Sequence, residues 1–207
     1  MSPRPYRLGQ RQTASEQTRS RIVEAARELL AAESGATGLS VDAVARHAGV
    51  ARMTVYYQFG SKAGLLEALF DHLALRGGME RMAEVFQEPE PLAALEKCIG
   101  VFTRFWAAER LVTRRLRGIA VLDTEIEQAL RARDRRRPEI FRAILRRLAA
   151  QHGHPAPEGL DDTADFLSTL TGFHTFDSLA GDVRTTEEVE RLLIEVARSV
   201  LGLDGQP

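Results

Sequence analysis

The chain has 207 residues, 44% of them apolar and 28% charged, with a net charge of −1. These values fit a folded globular protein and exclude both a disordered segment and a uniformly basic nucleic-acid binder. The single cysteine, Cys98, excludes an internal disulfide and fits a reducing compartment.

Charge is unevenly spread. Residues 1–62 carry nine Lys/Arg against five Asp/Glu, and the remainder carries nineteen against twenty-four. A polyanion is therefore drawn to one end of the chain only. No apolar run approaches the roughly 20 residues needed to span a bilayer. The polar stretch Met1–Gln17 lacks the apolar core of a secretory signal. The expectation is a cytoplasmic protein with no membrane partner.

Residues 1–15, with Pro3, Pro5, Gly9 and three arginines, read as a basic arm outside the fold. Ile22, Ala25, Ala26, Leu29 and Leu30 recur at helical spacing and predict a helix over 16–33. Ser34–Gly38 ends it. Ser40 is a good N-cap for a short helix carrying Val41, Val44 and Ala45 inward. Gly49 tolerates a turn at positive φ, and a third helix runs over 51–57. Two helices of about seven residues cannot stand alone; the helix over 16–33 supplies their floor.

Ser61 caps a fourth helix with Leu65, Leu66, Leu69, Phe70 and Leu73, which Gly77-Gly78 breaks. Helices over 80–86, 92–108 and 110–121 follow. Asp123 or Thr124 caps a long segment to Gln151, with Glu127 placed for a capping box. Pro138 kinks or breaks that segment. After the loop His152–Gly159 come two last helices, Leu160–Ala180 and Thr186–Leu201. No strand pattern and no internal repeat occurs. The fold class expected is all-α, with a helix-turn-helix domain over 1–62 and a helical domain over 63–207.

Arg52, Met53, Thr54, Tyr56, Tyr57 and Gln58 crowd the third helix, with Lys62 just beyond. Two tyrosines, a glutamine and flanking cations are poor core material. They suit DNA instead: Arg reads guanine, Met or a Thr methyl meets thymine, and hydroxyl, amide and ammonium groups bind phosphate.

The series Val44-Ala45-x-x-Ala48-Gly49-Val50, then Thr54-Val55-Tyr56-Tyr57-x-Phe59-x-Ser61-Lys62-x-x-Leu65-Leu66, resembles the signature of TetR-type transcriptional regulators. The likeness covers about residues 20–70. It implies a homodimer on a palindromic operator, usually a repressor, released when a small molecule binds the C-terminal domain. By this resemblance Arg52 and Met53 stand where bases are read. Tyr56, Tyr57, Gln58 and Lys62 stand where the backbone is gripped, Thr54 can do either, and Ser40 matches a phosphate-contact position. Ala51 departs from the pattern where serine is common, as do Tyr57 and Gln58 where Arg or His often occurs and Gly64 where an acid or other good helix former is common.

In the C-terminal part, Phe102, Phe105, Trp106, Phe141, Phe166, Phe173 and Phe176 read as core or as the lining of an apolar cavity. Thr171, His174, Asp165 and Asp177 are candidate polar groups there. An apolar or aromatic effector is the ligand class this implies. The helices over 160–201 carry Leu167, Leu170, His174, Val189, Leu193, Val196 and Val200, a candidate face for a four-helix dimer interface. The run Arg131–Arg137 is interleaved with acids and reads as a solvated face. His152 and His154 lack a third ligand, so no metal is expected. No cofactor motif and no catalytic constellation is present. The function expected is a ligand-responsive DNA-binding regulator, a repressor first. An activator on the same fold, or a helical small-molecule-binding protein or enzyme, are the alternatives.

Overall fold

The computed structural model describes residues 4–32, 39–153 and 156–203. The expected breaker Ser34–Gly38, and His154, lie outside these residues. Helices account for the regular structure, and no strand occurs among the described residues. In chain order they are α1 (Arg4–Ala31), α2 (Val41–His47), α3 (Arg52–Phe59), α4 (Lys62–Arg76), α5 (Met82–Gln87), α6 (Pro91–Ala108), α7 (Arg110–Ala120), α8 (Thr124–Asp134), α9 (Arg137–His152), α10 (Leu160–Leu170), α11 (Phe173–Ala180) and α12 (Thr186–Val200). A 3-10 turn, Met79–Arg81, leads into α5.

Contacts divide the chain into two units, and the division does not fall at residue 62. The described residues up to Leu73 group with Leu111–Leu130, while Ala74–Arg110 groups with the described residues from Arg131 onward. Most of α4 and α7 and the first part of α8 thus belong with the helix-turn-helix.

In the first unit, Ile22, Val23, Ala25, Ala26 and Leu30 of α1 are buried, as are Val41, Val44, Ala45 and Val55 of the short helices. Leu65, Leu66, Leu69, Phe70 and Leu73 of α4 and Val112 and Leu116 of α7 are buried in the same unit. His72 on α4 meets Glu24 on α1 at 2.7 Å. Arg115 donates to the carbonyl of Leu30 at 2.8 Å and to that of Ala32, so a cation closes the negative end of α1.

The second unit is built on α6. Glu90 caps it, its Oε2 accepting from the backbone N–H groups of Leu92 and Ala93, and Pro91 fills the first position without losing a bond. Its apolar residues Leu95, Ile99, Phe102 and Trp106 join Phe141, Ile144, Leu145, Leu148, Leu167, Phe173, Phe176, Val189 and Leu193 in one core. Arg104–Glu190 and Arg198–Glu96 tie α12 to α6, and Arg142 reaches Asp161 and Asp165 from α9 to α10.

Four expectations are changed or narrowed here. The arm is helical from Arg4, because Pro5 sits in the first turn, where a missing N–H is no loss. Pro138 marks a true break: α8 ends at Asp134 and the proline takes a first-turn position in α9. The cap of α8 is Asp123, whose Oδ1 accepts from Glu125 and Ile126. The reciprocal capping box lies instead at Thr185 and Glu188, starting α12. Finally, Leu160–Ala180 is two helices. Gly172 is extended, at φ −73° and ψ 159°, and a Cβ there would stand 3.0 Å from the Thr169 carbonyl oxygen. The apolar residues all around this segment therefore belong to two helices with separate faces.

Candidate nucleic-acid interface

The third helix, α3, is held by very few contacts to the interior. On α3 only Val55 is fully buried, while Met53 is 72% and Tyr57 86% exposed. The turn before it is a closed motif. Gly49, at φ 65°, donates to the Arg46 carbonyl at 3.2 Å, and Val50 donates to that of Ala45 at 3.0 Å. This is a Schellman closure, which needs a left-handed residue after the helix end. It fixes the angle at which α3 leaves α2.

Upstream, Ser40 Oγ accepts from the Ala43 N–H at 3.1 Å. That bond uses the hydroxyl's lone pair and leaves its hydrogen for an outside acceptor such as a phosphate. Ala51, the N-cap residue of α3, has suitable extended dihedrals but no side-chain oxygen, so α3 starts without a side-chain cap.

Arg52 is preset by neighbours. Its guanidinium donates to both oxygens of Asp42, at 3.0 and 3.2 Å, and to the Tyr56 hydroxyl at 3.2 Å. The Tyr56 hydroxyl bond and the Asp42 charge raise its pKa further above the usual value. Gln58, expected at the DNA backbone, is engaged within its own unit. Its amide donates to Ser15 Oγ at 3.0 Å, and its carbonyl accepts from Arg19, whose guanidinium lies 4.3 Å from the Phe59 ring centre. Gln58 thus fastens the end of α3 to α1. Thr54 is half-buried at the edge of the exposed face.

Lys62 opens α4. Its ammonium lies 2.5 Å from Asp123 Oδ2 and 3.3 Å from Glu125 Oε2. Burial opposes the charge, but hydrogen bonds to the two carboxylates outweigh it and raise the lysine pKa. Asp123 moves the other way. Burial opposes its charge too, yet the Lys62 bond and the α8 N–H groups hold its carboxyl below the usual range.

Ser40, Arg52, Tyr56 and Lys62 line one open cleft of about 750 Å³, together with Arg46, Ser61, Asp42, Asp123 and Glu125. Sequence reading missed the last five. Arg46 and Ser61 carried a signal in their spacing on the motif. Asp123 and Glu125 carried none, being some sixty residues away from Lys62 in the chain.

Residues 22–69 match the model of the bacterial regulatory proteins of the tetR family. That segment takes in the end of α1, the helices α2 and α3, and the first half of α4. The chain is 43% identical over 61 residues to TtgW of Pseudomonas putida, described as an uncharacterised HTH-type transcriptional regulator. The match takes in 28% of the chain and 45% of TtgW, so the chain spans about half the length of that curated relative. Among solved structures it resembles NalD, the secondary repressor of the MexAB-OprM multidrug efflux pump in Pseudomonas aeruginosa. That likeness has a TM-score of 0.68 and 22% identity over 93% of the chain and all of NalD. It also resembles a TetR transcription regulator from Haloarcula marismortui, with a TM-score of 0.67 and 17% identity over 90% of the chain and 97% of that protein. At such identities the likeness is one of fold. It is the all-α fold expected, with an N-terminal helix-turn-helix and a helical C-terminal part.

The candidate residues of the C-terminal part fall into place less evenly. Phe102, Trp106, Phe141 and Phe173 are interior, with Trp106 5.6 Å from Phe173 edge-on and Phe102 6.2 Å from Phe141. Phe105 is half-buried, 4.5 Å from Trp106. The Trp106 indole donates to the Thr171 carbonyl at 2.8 Å, and the Thr171 hydroxyl is already bonded to Leu167.

Other expectations fail on exposure. Phe166 is 45% exposed and His174 is exposed, so neither lines an interior. Asp177 accepts from Arg110 at 2.6 Å, and Asp165 is engaged by Arg142 on the surface. The interior cation was missed. Arg137 is buried, 5.5 Å from the centres of both the Phe102 and Trp106 rings, donating to Ser168 O and Asp134.

For the dimer face, Leu167, Val189 and Leu193 are corrected: each is buried in the subunit's own core and has no surface to offer a second copy. Leu170 and Val196 are half-buried, and Val200 is 48% exposed. Among the described residues no three His, Cys, Asp or Glu could hold a metal ion, and no helix is long and apolar enough to cross a membrane.

Proposed function

We propose that this chain is a cytoplasmic, dimeric transcriptional repressor that binds a palindromic operator and leaves it when a small molecule occupies the C-terminal unit. The observation that carries the reading is the outward face of α3. Arg52, Met53 and Tyr57 stand in solvent on a helix whose entry angle is set by the closed turn at Gly49, flanked by Ser40, Arg46 and Lys62. Arg52 and Met53 read bases, Thr54 lies at their edge, and Ser40, Tyr56, Tyr57 and Lys62 hold the backbone. Two such helices must stand one DNA turn apart, roughly 34–36 Å, to enter successive major grooves.

The outward apolar residues of the last helices supply the second copy. Phe166 and Leu170 lie one turn apart on α10, and Leu192, Val196 and Val200 form a stripe on α12. An effector with apolar or aromatic surface suits the ring-lined interior around Phe102, Phe105, Trp106, Phe141 and Phe173. It shifts the operator equilibrium only by its differential affinity for the two states; near-complete release requires about 5.5 kcal/mol. α4 runs from one unit into the other along the chain and is the proposed carrier of that shift.

Binding to the DNA upstream of the protein's own gene, followed by fluorescence anisotropy, tests the reading. Arg52→Ala is expected to relax base preference at one position. Lys62→Ala is expected to weaken all sequences alike and flatten the salt slope by about one. Unchanged binding in both variants rejects the DNA assignment.

A further inference from the structure

The DNA-facing cleft is electrically balanced. Arg46, Arg52 and Lys62 face Asp42, Asp123 and Glu125 across one open space. For a surface meant to meet phosphate, that balance is a handicap, and two of its three anions come from outside the helix-turn-helix. Lys62 shows the effect most directly. Its ammonium is held by both Asp123 and Glu125, and its side chain is only 21% exposed.

Asp123 is poorly placed to yield. Its Oδ1 is committed to the first N–H groups of α8, at 3.2 Å each, while Oδ2 takes the lysine. The two carboxylates therefore offer Lys62 what a DNA phosphate offers: fixed anionic oxygens at hydrogen-bond range. The turn that carries them adds no apolar burial of its own at Val121 and Leu122, which are 82% and 92% exposed.

We propose that Asp123 and Glu125 act as an internal phosphate mimic that occupies Lys62 in the free chain, so that the start of α8 sets how strongly the protein grips the DNA backbone. This inference rests on the DNA-binding reading above. Engaging a phosphate requires Lys62 to leave both carboxylates, and each carboxylate then repels the incoming backbone. Any displacement of the α7–α8 turn away from Lys62 strengthens binding, and any tightening weakens it. The position of this turn becomes a control point distinct from the spacing of the two reading helices.

The test is a charge-neutralisation cycle on the full-length protein. The probe is a fluorescent duplex of arbitrary sequence, which reports backbone contacts alone, titrated from about 50 to 200 mM salt. Asp123→Asn keeps the capping oxygen, and Glu125→Gln keeps the length. The double variant Asp123→Asn/Glu125→Gln is expected to bind about three- to ten-fold more tightly at the low-salt end, the scale of two partly exposed ion pairs. In a Lys62→Met background the same two changes are expected to have less than about a two-fold effect, because their target is gone.

An equal gain in both backgrounds means general repulsion and overturns the proposal, as does no gain in either. If Asp123→Asn disturbs the fold by circular dichroism, Glu125→Gln alone carries the cycle, with the same criterion and a smaller gain. Failure of the wild-type chain to bind the duplex at all rejects the DNA reading itself. Binding without coupling to Lys62 rejects only the mimic.

Discussion

Replacing Arg137 by methionine tests how the second unit tolerates a cation in its core. The guanidinium donates to the Ser168 carbonyl at 3.0 Å and lies 5.5 Å from the centres of two aromatic rings. A hydrogen bond from a charged donor contributes about 1.5–3 kcal/mol, and each desolvated ring contact about 0.5–2 kcal/mol. The pair with Asp134 adds little, about 0–1 kcal/mol, since that carboxylate is 36% exposed and water can replace the arginine. Against these stands the cost of drying the cation, several kcal/mol.

Methionine removes that cost and restores part of the apolar contact, so the net loss expected is about 2 kcal/mol. With a urea slope of about 2 kcal/mol per molar, the midpoint moves down by about 1 M. Urea denaturation followed by far-ultraviolet circular dichroism measures it. A midpoint equal to or above that of the wild type would show that the cation costs as much as it returns, and the reasoning would fail. Lysine at the same position keeps the charge but loses the planar fork, and its midpoint is expected to fall as well.

Three further outcomes are expected. Ala51→Ser supplies the missing oxygen at the start of α3 and should stabilise the first unit by about 1 kcal/mol, read as a rise in thermal midpoint; no rise would mean the serine points elsewhere. The Asp123 carboxyl is depressed below its ordinary 3.8, so its contribution to stability is fully present above that value and is lost as pH falls through the lower folded pKa. Acid titration of Asp123→Asn should lack this component of the wild-type loss, and superimposable acid limbs would contradict it. Val196→Glu with Val200→Glu, both outside the core, should give folded monomers in sedimentation; a surviving dimer would move the interface to another face.

The helix-turn-helix was legible because its determinants are local. Ser40 and Gly49 act on residues within a few positions, and period 3.6 identifies Val41, Val44 and Ala45 as inward. What stayed hidden is non-local or ambiguous by period. An apolar residue on a surface helix looks the same whether it meets its own core or a second copy, and so Leu167, Val189 and Leu193 were placed on the dimer face. Arg137 closes a run of arginines whose other members read as solvated, and nothing local distinguishes the one that turns inward. Gly172 lies inside the apolar segment Leu160–Ala180 that reads as one helix, and only the fold brings the Thr169 carbonyl where a Cβ would go. The partners of Lys62 lie four helices further along, at the start of α8, beyond any window of pattern reading.

The division into two units has a spectroscopic consequence. The only tryptophan, Trp106, belongs to the second unit, whereas Tyr6, Tyr56 and Tyr57, the complete set of tyrosines, belong to the first. Nature has in effect labelled the halves with different chromophores. Excitation at the red edge of the absorption band selects the indole and follows the second unit alone. The difference between that signal and one excited further to the blue follows the tyrosines, two of them on α3. One unlabelled sample can therefore reveal whether the halves melt together or apart.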